Sequence, residues 1–490
     1  MDGFAAFKTL ARLTGVGLVT AIVLLAAPLA RGDQPAGGPR HTTLAKRFTA
    51  ADQVSGRYQY LPFDVPPDTG TLRITYQYDR ANGENVIDLG LFEPGPLDLG
   101  TRAFRGYSGG SKATVILGPS ETTPGYRAGP LPQGQWHVLL GLYKVSASGV
   151  DVRVSVETHE GPTPRLAPDS ARPLPTATAR ATPRWFLGAL HTHTLHSDGS
   201  LSPADLLELA QKSRLDFVAI TDHNTVTHQD DLASLKLKEP SPLLIVGEEV
   251  TTPGGHASVW GLGPGEWVDF RVGPKDRRLR ELVSTAHGFG ALFSVNHPAS
   301  ECVACGWSHD WVEGIDAIEV SNGQHGEVAR ALKIWDGLLQ AGRRITAVGS
   351  SDWHRGPAPI DDAHVRVLAP ALTEHAILDA IRQGRVVVMR NVRDATPEIT
   401  VSSGTNVARP GDTLTLTPGA ATTVSVVSPG MSGGRMILVA NGERAGTATL
   451  DLTGQARVAY SARTGYLRVE LHGNDGAPLA IANPVYLGRP

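Results

Sequence analysis

Cysteine is almost absent: the 490 residues contain two, Cys302 and Cys305, in the string "ECVACGW". A single C-x-x-C with no partner pair falls short of a four-ligand zinc knuckle. It reads first as a short disulfide in an oxidising compartment, with free thiols or redox and metal work as the other options. Neither sign of charge is in excess, with 45 basic residues against 48 acidic ones and a formal net charge of −3. That balance lacks the basic footprint of a nucleic-acid binder and the polybasic patch of a membrane-surface protein. Aromatic residues make up only 6%, whereas glycine (55) and proline (35) are abundant, which favours β-structure and turns. Neither H-E-x-x-H nor the phosphate-cradling G-x-x-x-x-G-K-[ST] occurs, so a zincin helix and nucleoside-triphosphate chemistry have no support.

Long apolar runs are also lacking, except at the amino terminus. There Lys8 and Arg12 precede "LTGVGLVTAIVLLAAPLA", and Ala30-Arg31-Gly32 offers small residues for cleavage before Asp33. Residues 1–32 read as an export signal; the other reading is a retained anchor, because the run is close to the shortest that spans a bilayer. The expectation is a periplasmic or secreted protein with no membrane span after cleavage.

At this length one core cannot serve the whole chain. Residues 42–160 hold short alternating runs such as "GTLRITYQYD" and "VDVRVSVETH" with turn signals between them, which predicts a β-sandwich. Residues 161–184, rich in Pro, Ala, Thr and Arg, read as a semi-extended linker. From 185 to 395 strands alternate with helices, implying parallel strands in an α/β barrel or doubly wound sheet. "SPADLLELAQKSR" opens one of those helices, with Ser202 as N-cap and Pro203 in its first turn. Residues 396–490 return to short β-runs and predict a second, Ig-like sandwich. The linker implies that the first domain is separable, and neither β-domain carries a His/Asp/Glu cluster. Both are therefore expected to frame the site rather than supply chemistry.

What the α/β segment does contain is histidine at its strand ends. "WFLGAL" runs into "HTHTLHSDG", which carries His191, His193, His196 and Asp198; "DFVAIT" into Asp222 and His223; "LLIVGEEV" carries Glu248 and Glu249. His256 begins the next strand, "ALFSVN" ends at His297, and "ITAVGSS" ends at Asp352 and His354. Strand ends converge on one face of such a fold. Imidazole with carboxylate and no thiolate suits zinc, manganese or iron(II), and His-x-His on extended chain points both rings the same way. Some nine candidate ligands are too many for one ion, so two or three metals sharing a carboxylate are expected. Asp222 and Asn296 are candidates for orienting the ligands. His196 is either another orienting group or a solvated loop residue, Glu248 faces the wall or solvent, and Arg355 is either solvated or meets an anionic substrate.

The strings "ALHTHTLHSDGSLSPADLLELAQKSRLDFVAITDHNT", "GEEVTTPGGHASVWGL", "FSVNHP" and "VGSSDWH" resemble, in order, the motifs of the polymerase-and-histidinol-phosphatase (PHP) family of metal-dependent hydrolases. The resemblance covers 185 to about 392. Around it, "RFTAADQVSGRY" and "GPLPQGQWHVLLGLYKV" resemble the secreted branch that includes carbaryl and other carbamate hydrolases. The resemblance implies a distorted (β/α)7 barrel flanked by two β-sandwiches, with a metal set of His191, His193, Asp198, His223, Glu249, His256, His297, Asp352 and His354. It places His191, His193, Glu249 and Asp352 on one ion, Glu249, His256 and His297 on a second, and Asp198, His223 and His354 on a third. Glu249, Asp352 and His354 are its catalytic residues, and a hydroxide between the ions would cleave a phosphoester or a carbamate or carboxylic ester of a small molecule. Two rival readings remain: an amidohydrolase, although that superfamily normally adds a bridging lysine that no strand end carries here, and a secreted, non-catalytic metal- or glycan-binding protein.

Overall fold

The computed structural model describes residues 38–162, 182–232, 241–302, 304–322, 327–416, 421–461 and 463–488. The expected export segment at 1–32 and most of the expected linker lie outside the described residues.

Residues 40–160 form two four-stranded antiparallel sheets packed face to face. The strand Val150–Glu160 shows why: Val150, Val152, Val154 and Val156 are buried while Asp151, Arg153 and Ser155 are exposed, a period of two with one face inward. The second sheet, Tyr58–Val65, Gly134–Lys144, Val86–Phe92 and Phe104–Tyr107 in that order, is covered on both faces. Its Phe92, Phe104, Tyr107 and Leu139 turn away from the sandwich interior and join a core with Val250, Trp267, Phe270 and Leu282 of the following segment. Phe104 meets Trp267 edge-on at 4.7 Å and Tyr107 meets Phe270 at 4.5 Å between ring centroids. The first domain is therefore packed against the following segment and not joined to it by the linker alone.

The segment from 184 to 390 supplies nine consecutive strands of a larger mixed sheet: β1 (Arg184–Ala189), β2 (Phe217–Ile220), β3 (Leu243–Thr252), β4 (Gly255–Trp260), β5 (Leu292–Val295), β6 (Ala317–Ser321), β7 (Thr346–Gly349), β8 (Ala363–Ala369) and β9 (Val386–Arg390). Their order across the sheet is 7-6-5-4-3-2-1-8-9. β1, β2 and β3 are mutually parallel, as are β5, β6 and β7, but β4 runs antiparallel to both its neighbours, and β8 is antiparallel to β1 and β9. The all-parallel expectation is thus corrected at β4 and β8. β8 was also missed as a strand, although "AHVRVLA" buries alternate residues along much of its length. The sheet curls until β7 lies against β9. Asn483 fills that seam, its amide bonding the N–H and C=O of Ala347 on β7 at 2.7 and 2.8 Å and the C=O of Val386 on β9 at 3.0 Å.

Helices cover the outside of this sheet. Pro203–Lys212 starts where expected, the Ser202 hydroxyl accepting the Asp205 N–H, and buries Leu206, Leu207 and Ala210 at helical spacing. Beyond residue 395 the expected separate sandwich is continuous with the central sheet. Val387–Met389 of β9 pair with Ala480–Ala482, and the four-stranded sheet containing Glu398–Ser403 packs over that extension.

Candidate metal centre

The "HTHTLHSDG" turn is shaped by threonines and one aspartate. The Thr192 hydroxyl donates to the Ala219 carbonyl at 2.6 Å, tying that side chain to β2 and leaving the His191 and His193 rings on the opposite side. Past it, the buried Asp222 carboxylate accepts from the Thr194 N–H (2.7 Å), the Thr194 hydroxyl (2.7 Å) and the Ser197 hydroxyl (2.6 Å). The orienting role expected for Asp222 is thus exerted on the turn, not on a ligand ring. Two candidate ligands sit on strained backbone: His297 at φ 25° and Asp352 at φ 49°, values non-glycine residues adopt only when the surroundings enforce them. Because β4 runs backwards, His256 at its start reaches the same rim as the ends of the parallel strands.

All nine candidates come together. Glu249, fully buried, is the hub. Its Oε1 lies 3.2 Å from His191 Nε2, 3.2 Å from His256 Nδ1 and 3.3 Å from His297 Nε2. Its Oε2 lies 2.7 Å from His223 Nδ1 and 3.5 Å from His193 Nε2. Asp352 Oδ1 stands 3.2 Å from His191 Nε2 and 3.1 Å from His193 Nε2. Asp198 Oδ1 stands 3.2 Å from His354 Nε2 and 3.7 Å from His223 Nε2. The donor atoms fall into overlapping groups compact enough for an ion: His191/Glu249/His297, His191/His193/Asp352, His223/Glu249/His256 and His193/Asp198/His223/His354. His191, His193, His223 and Glu249 each stand in two groups, so the sets are less separate than the resemblance implied. Exposure grades across the centre, from 0% for Glu249 to 25% for the His223 side chain and 40% for that of Asp198.

Opposite charges face each other across the cluster. Burial works to raise Glu249, yet the facing His191, His223 and His256 hold its carboxyl well below the usual range. Asp352 is likewise held well down by His191 and His193 against its burial. Burial lowers His193, and with His354 and His223 beside it the imidazole falls to about 4. Burial opposes protonation of His223 too, but Glu249 and Asp198 lift it to about 10.

Around the ligands, Asn296 donates to Glu249 Oε1 (2.9 Å) and to the Ser258 hydroxyl (2.9 Å), the orienting position expected of it. His196 stays out of the cluster: it is buried, with Nδ1 2.8 Å from the Thr227 hydroxyl and Nε2 3.0 Å from Asp231. Glu248 points into the wall, accepting the Val268 N–H at 2.9 Å, and burial raises its carboxyl well above normal. Arg355 is exposed and reaches the Asp198 carbonyl at 3.3 Å. Cys302 and Cys305 are disulfide-bonded. They line a 660 Å³ pocket together with His223, His256, His297, Asp352, His354 and Arg330. One buried acid escaped the sequence reading. Glu319, inside β6, has Oε1 3.4 Å from His191 Nδ1 and accepts the His297 N–H through Oε2 at 2.9 Å. Two strings, at 106–110 and 430–434, carry G-x-S-x-G spacing. Neither is the strand-to-helix elbow that activates a serine, and Ser108 is buried against the Tyr126 hydroxyl at 2.9 Å.

The first sandwich roofs this turn. Lys112 Nζ donates to the Leu195 carbonyl (3.0 Å), the Ser111 hydroxyl to the Ser197 carbonyl (3.1 Å) and the Gly125 N–H to His196 Nδ1 (3.3 Å). A Cβ on Gly125 would come within 2.6 Å of the His196 carbonyl, so the approach needs glycine. In the same domain Asp88 accepts from the Tyr107 hydroxyl at 2.6 Å, and burial raises its pKa to about 6. An acid with a raised folded pKa binds protons more tightly in the native state. Its contribution to stability is therefore present at low pH and declines as pH rises from about 4 to about 6. Asp88→Asn should remove that decline: subtracting the variant's denaturation curve from the wild type's across this range should leave a downward slope. A flat difference would contradict the assignment.

No family model matches the chain. It is 30% identical over 148 residues to the uncharacterized protein MJ1587 of Methanocaldococcus jannaschii, a match that takes in 28% of this chain and 81% of that protein. Among solved structures it is similar to a two-domain protein from Bacteroides vulgatus containing a predicted PHP-like metal-dependent phosphoesterase, at 19% identity and a TM-score of 0.39, over 64% of this chain and 99% of the other. A candidate metal-dependent phosphoesterase from Bifidobacterium adolescentis is similar at 18% identity and a TM-score of 0.29, over 42% of this chain and 96% of the other. Both scores lie below one half, so the chemistry of the centre has to be read from its own residues. By its match to most of the length of the archaeal protein, the chain belongs to the family of MJ1587.

Proposed function

We propose that the chain is an exported, divalent-metal-dependent hydrolase that cleaves ester bonds of small molecules, phosphoester or carbamate and carboxylic ester, on a distorted (β/α)7 PHP barrel. The observation that carries this is the convergence of nine imidazole and carboxylate side chains around Glu249. Their lone pairs fit cations better than they fit one another. Asp198 Oδ1, Glu249 Oε2, both ring nitrogens of His256 and Nδ1 of His297 are buried without an aligned hydrogen bond, a condition that costs about 1–3 kcal/mol per group unless something satisfies it.

The residues that would hold two or three ions are His191, His193, Asp198, His223, Glu249, His256, His297, Asp352 and His354, with zinc, manganese or iron(II) suited to such ligands. Bound there, the ions supply Lewis-acid polarisation of the scissile oxygen and lower the pKa of water. The protein's own part is positioning. Asn296 holds Glu249, and the threonine–Asp222 network holds the turn. His354 Nδ1 pairs with the Asp352 carbonyl at 2.9 Å, which aims Nε2 at Asp198. His223, Asp352 and His354 face the 660 Å³ pocket, where a small ester has room beside them. The test is metal-reconstituted protein against nitrophenyl phosphate, a bis-nitrophenyl phosphodiester, a nitrophenyl carbamate, a nitrophenyl acetate and a nitroanilide. Turnover of at least one ester, abolished by a chelator and restored by metal, is expected. Metal-loaded protein inert toward all five favours the non-catalytic binder, and amide cleavage alone favours the amidohydrolase.

A further inference from the structure

We infer that Glu319 is a positioning residue that sets the tautomer of His191 and, through the same carboxylate, the backbone of His297, so that both rings present their Nε2 atoms to Glu249. This rests on the metal-centre reading above. Glu319 is 3% exposed and sits in β6, beside an irregularity in the β6–β7 register between Glu319 and Ser321. Its two oxygens do different jobs. Oε2 accepts the His297 N–H at 2.9 Å, which fixes a residue whose φ of 25° needs outside support. Oε1 lies 3.4 Å from His191 Nδ1. With its Nδ1 proton held by this carboxylate, which only accepts, Nε2 is the nitrogen whose lone pair a cation between it and Glu249 and Asp352 would meet. Nε2 is the atom 3.2 Å from both Glu249 Oε1 and Asp352 Oδ1. One buried acid thus orients two rings that flank the Glu249 oxygen they share.

Glu319→Gln separates this role from bulk. The side chain keeps its shape but has one acceptor and one donor end. If the amide oxygen serves the His297 N–H, its NH₂ faces His191 Nδ1. The imidazole must then accept there and carry its proton on Nε2, where the ligand lone pair should be. If the amide turns over, two donors face each other at His297. Either way one of the two positions fails. Outer partners of metal-bound histidine typically change metal affinity by about 10–100-fold, and a loss in that range is expected in a chelator competition with zinc, with secondary structure and melting temperature near wild type. In the wild type itself, ¹⁵N-histidine spectra of the zinc-loaded protein should show His191 protonated at Nδ1. An unchanged zinc affinity in a folded Glu319→Gln chain, or His191 protonated at Nε2 in the wild type, overturns the inference. Both readouts are independent of turnover, so a wild type that binds zinc yet hydrolyses nothing would sink the hydrolase reading while leaving this one standing.

Discussion

Replacing Glu249 with glutamine is expected to reduce hydrolysis by about three orders of magnitude or more and to lower bound metal, with the fold retained. Oε1 of this one side chain is the common neighbour of His191, His256 and His297, and Oε2 that of His193 and His223. Glutamine keeps the volume but removes the negative charge and turns one acceptor into a donor facing imidazoles. The cluster then has one fewer anion to set against divalent cations, and the shared position between two ligand groups is gone. A thousandfold loss corresponds to about 4 kcal/mol of transition-state stabilisation, within reach of losing a buried charged contact. Metal analysis and steady-state rates on the same folded sample check it. Turnover within tenfold of wild type at full metal content would mean that the hub of the cluster is not the hub of the chemistry.

Deleting residues 1–183 is expected to give a chain that is aggregated or melts roughly 10 °C or more below the full protein, not an independent catalytic domain. The deletion uncovers Trp267 and Phe270, which pack on Phe104, Tyr107 and Tyr58. Large apolar side chains are worth roughly 1.5–3 kcal/mol each when buried, a sizeable part of a total stability of only about 5–15 kcal/mol. It also removes the Lys112, Ser111 and Gly125 contacts to the turn that carries His193 and Asp198. Circular dichroism melts of the two purified chains decide it. An equally stable truncated protein with full metal content would restore the separable arrangement implied by the linker.

The site was more legible than its surroundings, for a physical reason. A strand that ends in His-x-His or Asp-x-His declares both its direction and its chemistry within a few residues, so His191, His193, Asp352 and His354 could be placed together from local pattern. His256 was placed with them through the resemblance alone, since in the parallel strands expected there its place at a strand start is the far rim; β4 runs opposite to its neighbours, so its start lies beside their ends. Glu319 gave no such signal: it is a lone acid inside "DAIEVSNG", and only the fold brings it to His191, 128 residues away. The joint between Phe104 and Trp267 was invisible for the same reason, since an apolar residue on the second face of a sandwich strand looks like any other core residue until its partner is known. In "AHVRVLA" the first three residues are all buried, which blurs the period of two that the rest of the strand shows. Continuity of the central sheet past residue 395 depends on pairing between Val387–Met389 and Ala480–Ala482, a register no local pattern announces.

The central claim is that the histidine–carboxylate cluster is a polynuclear metal centre. Its most direct measurement is the metal stoichiometry of the full chain after chelator stripping and reloading with zinc, manganese or iron(II), by mass spectrometry of the elements. The account predicts two or three divalent ions per chain, falling by at least one in Glu249→Gln. A wild-type chain that retains one ion or fewer under all three reloading conditions would contradict it.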